Sequence, residues 1–184
     1  MLRKEGMKCV LVGDGSVGKT CLFAVYAKGQ FPSGYIPTVM DNYAVTVFAK
    51  GKRVTLEVWD TAGQEDFAAI RELSYPNTDV FVICYAVDSK TSFKNVWDFW
   101  LSEIQKMGAP FIVCGTKKDL FDQHRNDHVS EQKAIVWAKQ HKAWASLRCS
   151  ALENDGVNDV FVNVLKCGLG SPSPLKKKSG CTLL

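Results

Sequence analysis

The chain has 184 residues, 46% hydrophobic and 23% charged, which predicts one soluble globular domain large enough to bury a single core. The net charge is +4, but three lysines stand together at 176–178, so the positive charge lies largely in the tail and does not indicate a nucleic-acid partner. Seven cysteines without C-x-x-C spacing favour core thiols over a disulfide or zinc framework, and neither a signal peptide nor a transmembrane segment is expected.

The sequence Gly13-Asp14-Gly15-Ser16-Val17-Gly18-Lys19-Thr20 fits the phosphate-binding pattern G-x-x-x-x-G-K-T. It follows a predicted strand over 7–12 and precedes a predicted helix over 19–28, the setting that this loop requires. Glycines allow a close backbone approach, so that N–H groups and the helix N-terminus can point at an anion. Lys19 supplies a positive charge and Thr20 a hydroxyl for Mg²⁺. A glycine-rich turn with an incidental lysine is the alternative.

Residues 29–42 lack periodicity and contain glycine and proline, so they are predicted to form a long loop. Residues 43–48 and 54–59 predict the two strands of a β-hairpin. A polar, irregular stretch is expected over 60–75. The continuous apolar run over 80–87 is typical of a strand buried on both faces.

The second half of the chain alternates between predicted helices and strands. Helical spacing of apolar residues predicts an amphipathic helix that contains Phe93, Val96, Trp97, Trp100, Leu101 and Ile104. The later predicted elements are a strand over 111–114, a helix capped by Ser130 with Ala134, Trp137, Ala138 and His141 on one side, a strand over 147–151 and a helix that contains Val157, Val160, Phe161, Val164 and Leu165. His141 is assigned to the helix surface or edge. This alternation predicts a doubly wound α/β sheet with ligand loops at the carboxyl ends of the strands.

Three short motifs fall at predicted strand ends. Asp60-Thr61-Ala62-Gly63-Gln64 places a carboxylate where a P-loop NTPase anchors Mg²⁺, although such a sequence alone is common in turns. Thr116-Lys117-Lys118-Asp119 places a carboxylate where it can accept hydrogen bonds from guanine N1 and N2, a donor pair that adenine lacks. A charged loop is the alternative for this motif. Backbone N–H groups of Ser150-Ala151-Leu152 could reach the guanine O6.

In this order, GDGSVGKT, YIPTV, WDTAGQE, TKKD and CSAL resemble a small GTPase of the Ras superfamily. The sequences Phe-Pro-x-x-Tyr-Ile-Pro-Thr-Val, Asp-Asn-Tyr and Leu-Ser-Tyr-Pro-x-Thr-Asp-Val are similar to the Rho/Rac branch. The resemblance implies the doubly wound P-loop NTPase fold, a mostly parallel six-stranded sheet with one antiparallel edge strand and helices on both faces. It also implies a GTP-binding domain over 5–168 and a flexible polybasic tail over 169–184.

The resemblance implies a site for GTP or GDP with Mg²⁺, with switch I at 29–42 and switch II at 63–76. The implied nucleotide-binding residues are Gly15, Ser16, Val17, Gly18, Lys19, Thr20, Cys21, Phe31, Tyr35, Thr38, Asp60, Gly63, Thr116, Lys117, Asp119, Ser150, Ala151 and Leu152. Thr20 and Thr38 would ligate Mg²⁺, with Asp60 acting through water. The implied catalytic residues are Gln64, Thr38, Gly15 and Lys19.

Several of these residues have a particular implied role. Gln64 would orient the attacking water, and Gly15 must stay small because a side chain there would intrude on Gln64 and on a partner's arginine finger. The Gly63 N–H would bond the γ-phosphate, and Phe31 would pack beside the guanine.

The resemblance implies exchange factors, GTPase-activating proteins, GTP-dependent effectors of the formin or kinase type, and a dissociation inhibitor as partners. Trp59 matches the Rho/Rac residue that helps to choose exchange factors. Three departures bear on partner identity: a chain of only ten residues, 120–129, where Rho proteins carry an insert helix; Met40 in place of a phenylalanine; and Phe67-Ala68-Ala69-Ile70 in place of a more polar run.

The last four residues, Cys181-Thr182-Leu183-Leu184, fit a Cys-a-a-X box, in which the final leucine favours a geranylgeranyl group on Cys181. Because one lipid chain anchors weakly, Lys176, Lys177 and Lys178 are expected to add attraction to an anionic membrane. The expected localisation is the cytoplasmic face of the plasma membrane, with a cytosolic pool and association with the cytoskeleton.

The sequence therefore predicts a Rho-family switch that binds GTP, hydrolyses it slowly to GDP and engages effectors while GTP is bound. The family implies signalling to the actin cytoskeleton. A P-loop ATPase or small-molecule kinase is a second possibility, which Asp119 disfavours. A GTP-locked binding module is a third, which Gly15 and Gln64 disfavour.

Overall fold

The computed structural model describes residues 6–34, 40–49 and 51–176. The strands in these residues are β1 (Gly6–Val12), β2 (Met40–Ala49), β3 (Lys52–Thr61), β4 (Val80–Ala86), β5 (Phe111–Thr116) and β6 (Ala145–Arg148). They form one six-stranded sheet in the order β2-β3-β1-β4-β5-β6. The β2–β3 pair is antiparallel and the other pairs are parallel, which confirms the predicted fold class.

Helices lie on both faces of this sheet. Their bounds are α1 (Lys19–Lys28), α2 (Ala68–Glu72, preceded by a 3₁₀ turn at Glu65–Phe67), α3 (90–107), α4 (Glu131–Gln140) and α5 (Val157–Gly168), with a further 3₁₀ turn at Lys118–Leu120. Helix α3 is continuous but not uniform. It consists of an α-helical start (Lys90–Asn95), a π-helical segment (Val96–Leu101), one more α-helical turn (Ser102–Ile104) and a 3₁₀ end (Gln105–Met107). No helix in the described part of the chain is long and apolar enough to cross a membrane.

The apolar strands β1, β4 and β5 separate two hydrophobic cores. One core packs α1 and α5 on the sheet and contains Leu22 and Phe161. The other packs α3 and α4 on the opposite face and contains Trp100 and Trp137. The cysteines at positions 9, 84, 114, 149 and 167 are buried free thiols, and Cys21 is half-buried, as the sequence predicts for core thiols. This packing holds the carboxyl ends of β1, β3, β4 and β5 at one edge of the sheet.

Several predicted boundaries differ from the structure. β2 begins at Met40, inside the predicted loop, because its ladder with β3 extends the hairpin to the Met40–Thr61 pair. The stretch predicted as irregular over 60–75 contains the end of β3 and helix α2. The last strand ends at Arg148 rather than at residue 151, because Ser150 and Asp155 exchange backbone hydrogen bonds of 2.8 and 2.9 Å and turn the chain away.

Other local predictions agree with the structure. Ser130 caps α4, and its hydroxyl accepts a hydrogen bond from the Lys133 N–H at 3.3 Å. Trp100 is buried, whereas Trp97 is half-buried and stacks on Trp137 with ring centroids 4.8 Å apart. His141 lies at the end of α4 and stacks on the same ring, at 4.0 Å.

The chain after α5 lies against the domain as far as the structure describes it. The Trp144 indole N–H donates to the Ser171 oxygen at 3.2 Å, and the Ser173 hydroxyl donates to the Trp144 oxygen at 2.6 Å. Leu175 packs against the core that contains α3 and α4. These contacts belong to the segment for which the sequence predicts a flexible tail. Cys181, Lys177 and Lys178 lie outside the described residues.

Candidate nucleotide-binding site

The loop between β1 and α1, residues 13–18, has a shape that depends on glycine. Gly13 adopts φ +141°, and a Cβ built there would lie 2.2 Å from the backbone oxygen of Cys84. Gly18 adopts φ +97° and caps the N-terminus of α1. A side chain at either position would be strained or would clash. The backbone path of the predicted phosphate loop therefore requires glycine at positions 13 and 18.

Lys19 is the first residue of α1, and its ammonium group turns back towards the loop. Its Nζ donates hydrogen bonds to the backbone oxygens of Gly13 at 2.7 Å and Asp14 at 2.8 Å. Burial lowers the pKa of Lys19, whereas nearby Cys84, Asp60 and Asp14 act in the opposite direction. A cation held at this place is suited to neutralise phosphate oxygens.

A cavity of about 510 Å³ lies beside this loop, which is within the usual size range of small-molecule sites. It brings the loop together with residues 62–64, which follow β3. The predicted site residues that line it are Gly15, Ser16, Gly18, Lys19, Thr20, Cys21, Gly63, Gln64 and Lys117. The structure thus places both predicted phosphate-contacting segments around one space.

The end of β3 lies directly against the phosphate loop. Asp60 pairs with Leu11 in the parallel ladder, and the Thr61 hydroxyl donates to the Leu11 oxygen at 2.7 Å. A Cβ built on Gly63 would lie 2.3 Å from the backbone carbon of Asp14. Only glycine at position 63 permits this approach.

Gln64 faces the phosphate loop at Gly15. A Cβ built at position 15 would lie 3.8 Å from the Cδ atom of Gln64, which is an ordinary contact distance for one carbon. A longer side chain at position 15 would have to displace Gln64. This geometry agrees with the predicted need for a small residue there.

Two of the predicted Mg²⁺ residues, Thr20 and Asp60, lie beside the phosphate loop, although Asp60 is not among the residues that line the cavity. Thr20 lines the cavity in the first turn of α1, and the fully buried Asp60 lies close enough to Lys19 to influence its pKa. Mg²⁺ favours carboxylate, hydroxyl, phosphate and water oxygens. Thr20 and Asp60 are therefore the described residues that would hold the ion. Thr38, the third predicted Mg²⁺ residue, and Tyr35 lie outside the described residues.

A second cavity, of about 190 Å³, adjoins the first and shares Gly18, Cys21 and Lys117 with it. Its lining is mainly apolar, and the Asp119 side chain brings a carboxylate to it. The predicted nucleotide-binding residues that line it are Gly18, Cys21, Phe31, Thr116, Lys117, Asp119, Ala151 and Leu152. An apolar slot with one carboxylate suits a purine base that carries hydrogen-bond donors.

The loop after β5 is fixed to its surroundings. The Thr116 hydroxyl donates to the backbone oxygens of Val17 and, at 2.9 Å, of Tyr85. Lys117 adopts the left-handed conformation with φ 55°, which is unusual for lysine. Lys118 lines neither cavity and forms an ion pair with Asp155. These contacts leave Lys117 and Asp119 at the cavity.

Val17 and Ser150, which were also predicted to bind nucleotide, do not line either cavity. The Val17 side chain is buried in the core, and its oxygen accepts the hydrogen bond from Thr116. Ser150 is fully buried, and its hydroxyl accepts from the Glu153 N–H at 3.1 Å. Ser150 thereby holds the turn that presents Ala151 and Leu152.

Arg71 is a buried residue of the site that the sequence does not reveal. Its guanidinium donates to both carboxylate oxygens of Glu103 at 3.0 Å, to the Ala62 oxygen at 2.9 Å and to the Gln64 oxygen at 3.1 Å. An arginine in a polar stretch is normally exposed. Its partner on α3, Glu103, lies 32 positions away in the sequence, so no local signal indicates this contact.

A phosphate loop with a buried lysine, a glycine-dependent contact from β3 and an adjoining purine-sized slot together describe a nucleotide-binding site. A sequence model of the Ras family matches residues 8–168, which contain every described segment of this site. The chain therefore belongs to the Ras family, the small GTPases that bind guanine nucleotide with Mg²⁺ and hydrolyse GTP to GDP as molecular switches.

Proposed function

We propose that this GTPase is a membrane-attached switch of the Rho branch, which engages effectors while GTP is bound. The observation that supports this proposal is that the Rho-like sequence over 73–80 includes the end of switch II and ties it to helix α3. The Ser74 hydroxyl donates to the Arg71 oxygen at 2.7 Å, and the Tyr75 hydroxyl donates to Glu103 on α3. Ser74 and Tyr75 thus contact Arg71 and its partner Glu103, and Arg71 in turn donates to the Gln64 oxygen.

The proposed hydrolysis is an in-line attack of water on the γ-phosphate, so the protein mainly positions groups and neutralises charge. Gln64 orients the water, Lys19 holds phosphate oxygens, and the Gly63 N–H donates to the γ-phosphate. Thr20 and Thr38 would hold Mg²⁺, with Asp60 acting through water, and the ion would supply positive charge that offsets the charge of the phosphates. Asp119 accepts from the guanine N1 and N2 groups, and Phe31 packs beside the base. Intrinsic turnover is on the order of 10⁻⁴ to 10⁻³ s⁻¹.

The proposed partner surface of switch II is apolar. Leu73 is 73% exposed and Ile70 is 38% exposed, and Met40 at the start of β2 is 40% exposed. Large exposed apolar side chains next to a nucleotide-sensitive segment are typical of a protein-binding site. Ala68 and Ala69 replace a polar pair there, so a dissociation inhibitor that depends on polar contacts binds this protein more weakly than it binds a typical Rho protein.

Effector binding tests the Rho assignment. The protein loaded with a non-hydrolysable GTP analogue should retain isolated Rho-type effector domains, of the formin or kinase class, and the GDP form should not. Leu73→Glu should weaken retention roughly tenfold, because it places a charge in an apolar contact. Val136→Glu is the matched control, since Val136 is 45% exposed on α4, away from the switch. Retention by Ras-type effector domains instead of Rho-type domains would contradict the assignment.

The proposed membrane attachment has two parts, a geranylgeranyl group on Cys181 and the lysines at 176–178. Ser173 holds the chain at Trp144, and the five residues from Lys176 to Cys181 can span at most about 18 Å. The lysines contribute about 1 kcal/mol each near an anionic leaflet. The domain is therefore held close to the cytoplasmic face of the plasma membrane, in exchange with a cytosolic pool, and its proposed output is the actin cytoskeleton.

Vesicle sedimentation separates these two parts. Cys181→Ser should release the protein from anionic vesicles, because three lysines alone bind weakly. Changing all three lysines to glutamine should leave partial binding that salt hardly alters, whereas binding of the prenylated wild type should fall as added salt screens the charges. Equal binding of unprenylated and prenylated wild-type protein would exclude the lipid anchor.

A further inference from the structure

Helix α3 holds the carboxylate of Asp14, a phosphate-loop residue, by both of its oxygens. The Asn95 side-chain amide donates to Asp14 Oδ2 at 2.8 Å, and the Trp100 indole N–H donates to Asp14 Oδ1 at 2.6 Å. Hydrogen bonds to an ionised acceptor are among the stronger ones in proteins. The position of the loop between Gly13 and Gly15 is thus tied to α3.

The π-helical segment Val96–Leu101 explains how two residues five positions apart reach one carboxylate. In a regular α-helix, side chains five positions apart point about 140° away from each other. A π-helix forms its hydrogen bonds between residues five positions apart and is wound more loosely, so Asn95 and Trp100 come closer to a common face. Such segments are found most often at functional sites.

The same face of α3 also holds switch II. Glu103 accepts two hydrogen bonds from the Arg71 guanidinium, which is fully buried and donates two more to the Ala62 and Gln64 oxygens. The Arg71 Cζ atom lies 4.7 Å from the centroid of the Trp100 ring, the distance of a cation–π contact. Trp100 therefore contacts the phosphate loop through its N–H and switch II through its ring face.

We propose that Trp100 is a positioning residue for GTP hydrolysis, which fixes the phosphate loop relative to Gln64 by bridging Asp14 and Arg71. The proposal deepens the proposed function, because it rests on the role of Gln64 in orienting water. Gln64 touches the reacting groups, and Trp100 acts through it. Through its contacts with Asp14 and Arg71, Trp100 sets the distance between the phosphate loop and switch II.

Trp100→Phe tests the bridge, since it keeps a ring over Arg71 and removes the donor to Asp14. Single-turnover GTP hydrolysis should slow roughly tenfold, because small misplacements of catalytic groups are costly. GDP affinity and the thermal unfolding midpoint of the GDP form should stay close to wild type. Asn95→Ala changes a half-buried residue and should slow hydrolysis less than Trp100→Phe does. It replaces Trp100→Phe as the test variant if Trp100→Phe does not fold. Trp97→Phe is the matched control, because Trp97 stacks on Trp137, away from the loop.

A double-mutant cycle with Gln64→Ala separates positioning from general damage. Trp100→Phe, or Asn95→Ala in its place, should slow hydrolysis in the wild-type background and have no further effect when Gln64 is absent. The same fold-reduction in both backgrounds, or no reduction in either, would overturn the bridge. If Gln64→Ala alone leaves hydrolysis unchanged, the proposed role of Gln64 fails, and the bridge to it fails with that role.

Discussion

Gln64→Leu is expected to remove most activator-stimulated GTP hydrolysis while GTP binding persists. The leucine keeps the bulk that faces Gly15, but it cannot orient a water molecule. An activating protein accelerates hydrolysis on such sites by ~10³- to 10⁵-fold, and this gain depends on a correctly placed nucleophile. We expect the variant to lose at least ~10²-fold of the stimulated rate.

The measurement is phosphate release in single turnover, with and without a Rho-type activating protein, alongside the affinity for a fluorescent GTP analogue. Glu65→Gln is the control. Glu65 is the exposed neighbour of Gln64 and is not among the residues that line the two described cavities. Stimulated hydrolysis equal to that of the wild type would remove Gln64 from the mechanism.

Asp119→Asn is expected to exchange the preference for guanine for a preference for xanthine. In the proposed site the carboxylate would accept from two donors of guanine, whereas the asparagine side chain would set an N–H₂ group against one of them. Sites that hydrogen-bond a polar ligand group reject the mismatched ligand by ~10⁴- to 10⁵-fold. GTP affinity should therefore fall by roughly 10³-fold or more, and xanthosine triphosphate, whose C2 oxygen needs a donor, should bind better than GTP.

Competition against a fluorescent guanine nucleotide, with GTP, xanthosine triphosphate and ATP as competitors, measures this exchange. Asp122→Asn is the matched control, since Asp122 is exposed in the same connection and its Oδ1 accepts from the His124 N–H at 2.8 Å. An unchanged preference for GTP in Asp119→Asn would place the base somewhere other than the smaller cavity.

Local patterns were sufficient to predict much of the fold and of the candidate site. The phosphate loop is recognisable because its glycines, Lys19 and Thr20 are contiguous and have a strand and a helix as neighbours. The same holds for Ser130, whose capping role depends on the Lys133 N–H three positions away. Buried strands such as β4 are equally visible, because both faces require apolar residues.

Features formed between distant parts of the chain were not predictable in this way. Trp100 and Asp14 are 86 positions apart, and the helical spacing of Trp100 indicates only a core position. Ser150 was predicted to lie in the last strand because its neighbours are apolar, whereas its pairing with Asp155 ends that strand early. The contact of Ser173 with Trp144 likewise has no signature in a tail rich in serine, proline and lysine.

Single-turnover hydrolysis of GTP and of ATP by the purified protein with Mg²⁺ tests the central claim most directly. The account predicts slow conversion of bound GTP to GDP, at a rate on the order of 10⁻⁴ to 10⁻³ s⁻¹, and no measurable binding or hydrolysis of ATP. Hydrolysis of ATP at a rate comparable to that of GTP, or GTP binding without any phosphate release, would contradict it.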